Sequence, residues 1–243
     1  MEKLYVKNPA GNRRLVEVYD GNIAKEILPL LERQNNNLKG LFLSERDLRN
    51  IIVTNYDEVV PIDRRWSSST LLATKGREVR VILPYNTDGK LTGTAEFAFG
   101  LIDSYGTGSD ISDKWNKIEG SGVYVRNLED WFREGSDGRL IGLNNNMTEE
   151  EAMNCPILRT KLGDSFYVDS KFSRGKEKAD EIIRRIFEIG KREYGYEKMM
   201  GQYFPKISNN GVLRFSSVGD IGTHSISDSR ESSEGNIAFY KAA

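Results

Sequence analysis

Residues 211 to 241 decide how this chain is read. They run Gly211-Val212-Leu213-Arg214-Phe215-Ser216-Ser217-Val218, pass through a polar run that holds His224 and Arg230, and close on Asn236-Ile237-Ala238-Phe239-Tyr240-Lys241. Both ends have the β-branched and aromatic content of strands. Between them, residues 207 to 236 are rich in Ser, Gly, Asp and Asn, with isolated Ile, Val, Leu and Phe. The bland expectation for such a stretch is a poorly ordered polar tail. Against it stands the closing run, and a partner for it at the other end of the chain, where Leu4 and Val6 alternate with polar residues. A last strand paired with that first hairpin strand would hold the polar run between two fixed ends. The run is also selective in composition. Ile207 to Arg230 contains no Lys, Glu, Gln, Met or Trp over 24 residues, although those five types make up 47 of the 243 residues.

Working outward, the first segment reads as a hairpin, with Asn8-Pro9-Ala10-Gly11-Asn12 as turn chemistry between Leu4–Val6 and Leu15–Val18. Ile23, Ile27, Leu30 and Leu31 suggest a helix interrupted by Pro29. A second helix starts at Ser44, with Asp47 in its third position and Leu48, Ile51 and Ile52 as its apolar stripe. Strands are expected at 70–74, 78–83 and 94–101. Short helices are expected around Trp115 and from Asn127 through Leu128, Trp131 and Phe132. Thr148-Glu149-Glu150-Glu151 is a capping-box pattern. Residues 166–172 alternate like a strand. The longest helix should span about 176–194, since Ala179, Ile182, Ile183, Ile186 and Phe187 recur at three and four residues. Short strands interleaved with a few helices favour a single α+β domain over a doubly wound sheet.

Composition removes several function classes. One His and one Cys cannot build a Cys/His zinc site, a disulfide or a multi-histidine iron site. The formal net charge of −1 supplies no basic footprint for nucleic acid. No apolar run approaches the roughly 20 residues of a membrane span. The start, Met-Glu-Lys-Leu-Tyr-Val-Lys, lacks the apolar core of a secretory signal. The default expectation is therefore cytoplasmic, with cell-surface display open by another route.

Few residues invite chemistry. Asp169-Ser170-Lys171, with Asp164 upstream, has the residue types of a Mg²⁺-dependent nuclease. The plain alternative for these residues is a solvated strand edge. Glu149 to Glu151 read as acids complementing a helix dipole. Gly106-Thr107-Gly108 and Gly120-Ser121-Gly122 lack the Lys and the context of a phosphate loop. Trp66, Trp115 and Trp131 read as core or loop anchors. There is no Gly-x-Ser-x-Gly elbow, and no orienting acid or nucleophile is evident beside His224. These readings call for no metal and no cofactor.

The closing stretch resembles the final strands of C-type-lectin-fold proteins of the formylglycine-generating-enzyme-like branch. Val212-Leu213-Arg214, the later Arg230 and Asn236-x-x-Phe239 follow that branch's Val-Leu-Arg, Arg and Asn-x-Gly-Phe order, and Asn127-Leu128-Glu129-Asp130-Trp131 is similar to its Thr-Glu-x-Glu-Trp helix start. The departures are Phe215-Ser216 for Gly-Gly, Val218 for Trp, and Ala238 and Tyr240 for the final Gly and Arg. The resemblance covers about 40 residues. It implies an α+β C-type-lectin-like fold with paired N- and C-terminal strands. The oxidase members need a cysteine pair and the iron-dependent members several His ligands, so the inventory leaves only non-catalytic use of the fold.

That use is exemplified by the variable proteins of diversity-generating retroelements, whose C-terminal segment is rewritten by adenine-directed mutagenesis. Asn codons of the form AAC then become NNC, which cannot encode Lys, Glu, Gln, Met or Trp. On this resemblance residues 1–206 are scaffold with insertions and 207–236 the variable segment. Glu231, Glu234 and Lys241 lie outside what the process can write. The residues expected to meet ligand are Phe215, Ser216, Val218, Asp220, Ile221, Thr223, His224, Ser225, Ser227, Asp228, Ser229, Ser232 and Ser233. The expected partner is a macromolecule, a protein or cell-surface molecule, and not nucleic acid. A display protein is thus expected, with the Mg²⁺ nuclease and a structural partner-binding subunit as alternatives.

Overall fold

A computed structural model describes residues 2–7, 13–22, 44–56, 66–75, 78–83, 124–127, 146–162, 175–203, 212–219, 224–227 and 234–240. Helices and strands share these residues, in the α+β class expected. In chain order they are β1 (Glu2–Lys7), β2 (Arg13–Asn22), α1 (Glu45–Asn55), β3 (Trp66–Lys75), β4 (Glu78–Leu83), β5 (Tyr124–Asn127), α2 (Glu149–Met153), α3 (Pro156–Lys161), α4 (Gly175–Tyr194), β6 (Gly201–Tyr203), β7 (Val212–Gly219), β8 (His224–Ser227) and β9 (Glu234–Tyr240).

The strands form one sheet in the order β1-β2-β9-β3-β7-β8-β6, with β4 and β5 continuing from the other half of β3. The N-terminal hairpin and the C-terminal strand pair, as expected. The contact is made by β2, with Val18 opposite Ala238 and Tyr19 opposite Ile237, and not by Leu4–Val6 of β1. Ten-residue β2 lies between six-residue β1, the outer strand of the hairpin, and β9.

Strand β3 is the junction. Its first residues, Trp66 and Ser67, lie between Asn236 and Ile237 of β9 on one side and Val218 and Ser217 of β7 on the other. Its second half, from Leu71, lies between β4 and β7. The expectation of a strand at 70–74 is therefore too short. The polar start, Ser67 to Ser69, belongs to the strand because Ser68 is buried and hydrogen-bonded there.

The helices follow local sequence. Ser44 and Asp47 form a reciprocal capping box at α1, and Thr148 and Glu151 form another at α2. Pro156 sits in the first turn of α3, where its missing N–H costs nothing. Helix α3 and the three-residue β6 are too short to announce themselves by periodicity. Gly195, at φ +68°, ends α4 in the left-handed region that glycine enters without strain.

Alternation along β4 buries both of its faces. Val79, Val81 and Leu83, with Leu72 of β3, join Ala152, Leu158, Ile182, Ile183, Ile186 and Met199 in one apolar core. Met199 bonds Met147 through paired backbone hydrogen bonds of 2.7 and 2.8 Å. It also fills the space over Gly190, where a Cβ would come within 2.2 Å of the Met199 sulfur. The helices expected near 23–31, near Trp115 and after Asn127, and the strands expected at 94–101 and 166–172, lie outside the described residues. Asn127 itself closes β5.

Candidate functional site

The candidate segment contributes two strands to the described sheet. β7 pairs antiparallel with β8, Gly219 opposite His224, Val218 opposite Ser225 and Ser216 opposite Ser227. β8 pairs in turn with β6, parallel, His224 beside Gly201 and Ile226 beside Tyr203. Over 224–227 the polar run is thus a strand between two others, and its backbone is held on both sides.

Of the thirteen residues expected to meet ligand, Phe215, Ser216 and Val218 fall on β7, and His224, Ser225 and Ser227 on β8. Asp220, Ile221, Thr223, Asp228, Ser229, Ser232 and Ser233 lie outside the described residues, as do Asp164, Asp169 and Lys171. Two positions need correction. Ser216 and Val218 are both fully buried, so neither lies on a ligand-facing surface. They are two apart on a strand, and strand alternation turns both to one side.

Under Ser216 lies a polar cluster that periodicity does not reveal. Glu45, the first residue of α1, is fully buried. Its Oε1 accepts a hydrogen bond from Arg49 Nε at 2.9 Å and lies 2.9 Å from Arg49 Nη2 in the same ion pair. Its Oε2 accepts from the Ser216 hydroxyl at 2.5 Å and lies 3.3 Å from Lys161 Nζ. Lys161, at the end of α3, donates to Ser216 Oγ at 2.9 Å and to Gln202 Oε1 at 2.7 Å. Three acceptors suit the three donors of an ammonium. Gln202, in β6, passes the chain on by donating to the Met200 carbonyl at 2.9 Å. Met200 has φ 59°, an uncommon conformation for a side chain of its size, and the Gln202 amide holds the peptide that follows it.

A second set of bonds ties the cluster to β3. Register shifts between Ser67 and Leu71, so the ladder to β7 is interrupted there. Ser68 fills the gap: its hydroxyl donates to the Ser216 carbonyl at 2.8 Å and accepts from the Thr70 amide at 3.2 Å. Thr70 Oγ1 accepts from the Glu45 amide at 3.1 Å, which satisfies one of the orphan donors at the start of α1.

Burial sets the electrostatics. It pulls the Lys161 ammonium below the usual lysine range. The Arg49 charge adds to this, and Glu45 opposes it. Burial also raises the thiol of Cys155, which is therefore a neutral core group. A serine beside a lysine is the nucleophile–base pair of some hydrolases. Here Lys161 donates to Ser216, Ser216 donates to Glu45, and Ser216, Lys161 and Glu45 are at most 1% exposed. No substrate bond can reach that oxygen, so the cluster is a structural one. Among the described residues there is no group of three or more His, Cys, Asp or Glu that could hold a metal, and no helix is long and apolar enough to cross a membrane.

No family model matches the chain, and no curated protein matches it. A solved structure described as the accommodation of massive sequence variation in Nanoarchaeota by the C-type lectin fold is similar over 96% of this chain and 99% of its own, with a TM-score of 0.46 and 15% identity. That degree of likeness fixes neither a family nor a function.

The signals for the cluster were in the sequence only as residue types. Glu45 and Arg49 are four apart on a helix, but Ser216 is 171 residues from Glu45. What the fold adds is the juxtaposition.

Proposed function

We propose that this chain is a non-enzymatic display protein with a C-type-lectin-like fold, whose 207–236 segment is a variable ligand-binding segment of the kind written by a diversity-generating retroelement. The observation that carries the reading is the contrast within that segment. Ile207 to Arg230 lacks the five residue types that NNC codons cannot encode, while β7 and β8, which lie within it, are set into the sheet between β3 and β6. A rigid frame carrying an adaptable Ser-, Gly- and Asp-rich segment is what a recognition surface requires. The paired terminal strands and the Val212-Leu213-Arg214 and Asn236-x-x-Phe239 motifs support the lectin-like, formylglycine-generating-enzyme-like assignment.

On this reading the ligand is met by Phe215, Asp220, Ile221, Thr223, His224, Asp228, Ser229, Ser232 and Ser233, with Ser216 and Val218 moved to the frame and Ser225 and Ser227, their register partners across the β7–β8 ladder, placed with them. The partner is a protein or another cell-surface macromolecule. The encoding locus provides the test. It should hold a near-copy of the codons for 207–236, next to a reverse transcriptase gene, differing from them mainly where the copy has adenine. A locus with neither feature would overturn the reading.

A further inference from the structure

The buried cluster imposes a chemical requirement on one residue inside the candidate segment. We propose that position 216 is a hydroxyl-selective anchor, through which Glu45, Lys161 and Gln202 fix the pose of the β7–β8 hairpin. What this means for ligand recognition rests on the display reading; the anchor itself does not.

The requirement follows from donor and acceptor counts. An ionised carboxylate only accepts, and an ammonium only donates. The atom between Glu45 Oε2 at 2.5 Å and Lys161 Nζ at 2.9 Å must therefore donate to the first and accept from the second. A hydroxyl on a short side chain does both. Alanine does neither, and leaves a buried carboxylate and a buried ammonium each short of a partner. Asparagine and aspartate bring larger groups into a fully buried site, and a thiol donates weakly. The backbone of the same residue is fixed as well, since the Ser216 carbonyl takes the Ser68 hydroxyl at 2.8 Å.

The anchor acts on both strands that flank β8. Lys161 reaches β7 through Ser216 and β6 through Gln202, and β6 and β7 between them pair with all four residues of β8. Glu45, Lys161 and Gln202 are thus positioning residues for His224 to Ser227, although each belongs to a different element of the frame. A segment open to diversification would have to keep Ser or Thr at 216 while its other positions change. The boundary between what can vary and what cannot then falls inside β7.

The test uses the full chain with substitutions at 216. Thermal unfolding is measured together with hydrogen exchange of the amides of 224–227, with those of 182–189 in α4 as reference. Ser216→Thr should keep Tm within about 3 °C and leave exchange at 224–227 as in the parent chain. Ser216→Ala should lower Tm by about 5–10 °C and raise exchange at 224–227 by more than about tenfold relative to 182–189. Should Ser216→Ala fail to fold, the near-isosteric Ser216→Cys replaces it, with the same selective rise in exchange expected at smaller size. Equal exchange changes in both segments would reduce the cluster to general stability and overturn the proposal. So would Ala or Val at 216 behaving like Ser. The locus test decides the display reading separately, because the anchor can stand without the near-copy and the near-copy without the anchor.

Discussion

Two fully buried regions of this molecule are specified in different ways. The apolar core on α4, built from Ala179, Ile182, Ile183, Ile186 and Phe187 against β3, β4 and α3, needs volume. The cluster around Glu45 needs particular donors and acceptors at particular distances. Both regions are equally closed to water, yet they should tolerate change very differently. Apolar interiors accept volume-conserving swaps because dispersion and burial depend on shape and area. A buried ion pair accepts almost none, because a lost partner leaves a charge desolvated and uncompensated.

The largest expected effect breaks that comparison most directly. Removing the carboxylate in Glu45→Ala leaves the Arg49 and Lys161 cations facing each other, and should cost about 3–5 kcal/mol. Ile183→Ala, which opens a cavity in the apolar core, should cost a similar 2–5 kcal/mol or so. The contrast appears with the gentle variants. Ile183→Val should cost only about 0.5–1.5 kcal/mol. Glu45→Gln, nearly the same shape, should retain most of the alanine cost, because the amide cannot offset two cations. Chemical denaturation of the four variants measures all of this. Equal tolerance of the two gentle variants would mean that the cluster is held by packing alone.

A second effect, smaller and dependent on pH, follows from Lys161. Its ammonium is pulled below the usual lysine value of 10.5 in the folded chain. Between the lowered value and 10.5 the unfolded chain therefore binds more protons than the folded one, and stability rises with pH across that window. Below the lowered value both states are protonated and the slope vanishes. Tyr56 acts in the opposite sense above pH 10, because burial and the neighbouring Tyr194 hydroxyl keep its phenol protonated to higher pH in the folded state. The Lys161 contribution is isolated by comparison with Lys161→Met from pH 7 to pH 10. The parent chain should gain stability relative to that variant as pH climbs. A constant difference between the two would place the folded-state ionisation of Lys161 at its ordinary value.

The same contrast explains what could be read from the sequence. The stripe of α4, the strand 78–83, the Ser44 cap and the capping box at Thr148 are local patterns that could be placed residue by residue, whereas of β7 only Val212 and Leu213 read as sheet. The paired ends of the chain were readable as strand character at both termini, but not the choice of β2 over β1, which depends on the whole sheet. The short α3 and β6 carry no periodic signal. The cluster draws on residues 45, 49, 161, 202 and 216, and no local rule brings a helix start, a helix end and two strands together. Sequence alone therefore groups Ser216 with its polar neighbours as a surface residue. Polar character in a strand says only that a hydrogen-bond partner is needed, and here the partner is protein instead of water.

The smallest expected effect sharpens the comparison at its edge, where the two capping boxes differ in burial and in what lies beneath them. Thr148 caps α2 near the surface, and its hydroxyl accepts the Glu151 amide at 3.2 Å in an exposed setting. Water can replace that bond, so Thr148→Ala should cost about 0.5–1 kcal/mol. Ser44 is buried, and its hydroxyl both donates to Asp47 at 2.6 Å and accepts the Asp47 amide at 3.2 Å. Its neighbour is Glu45, whose amide is already fixed by Thr70. Losing the Ser44 cap frees the first turn of α1 and with it the backbone that carries the Glu45 carboxylate. Ser44→Ala should therefore cost about 1–2 kcal/mol, the upper part of the capping range. The excess over Thr148→Ala should disappear when both substitutions are made in the Glu45→Ala background, where no carboxylate is left to misplace. A difference that survives in that background would locate the cost in the cap itself, and would separate the helix start from the cluster beneath it.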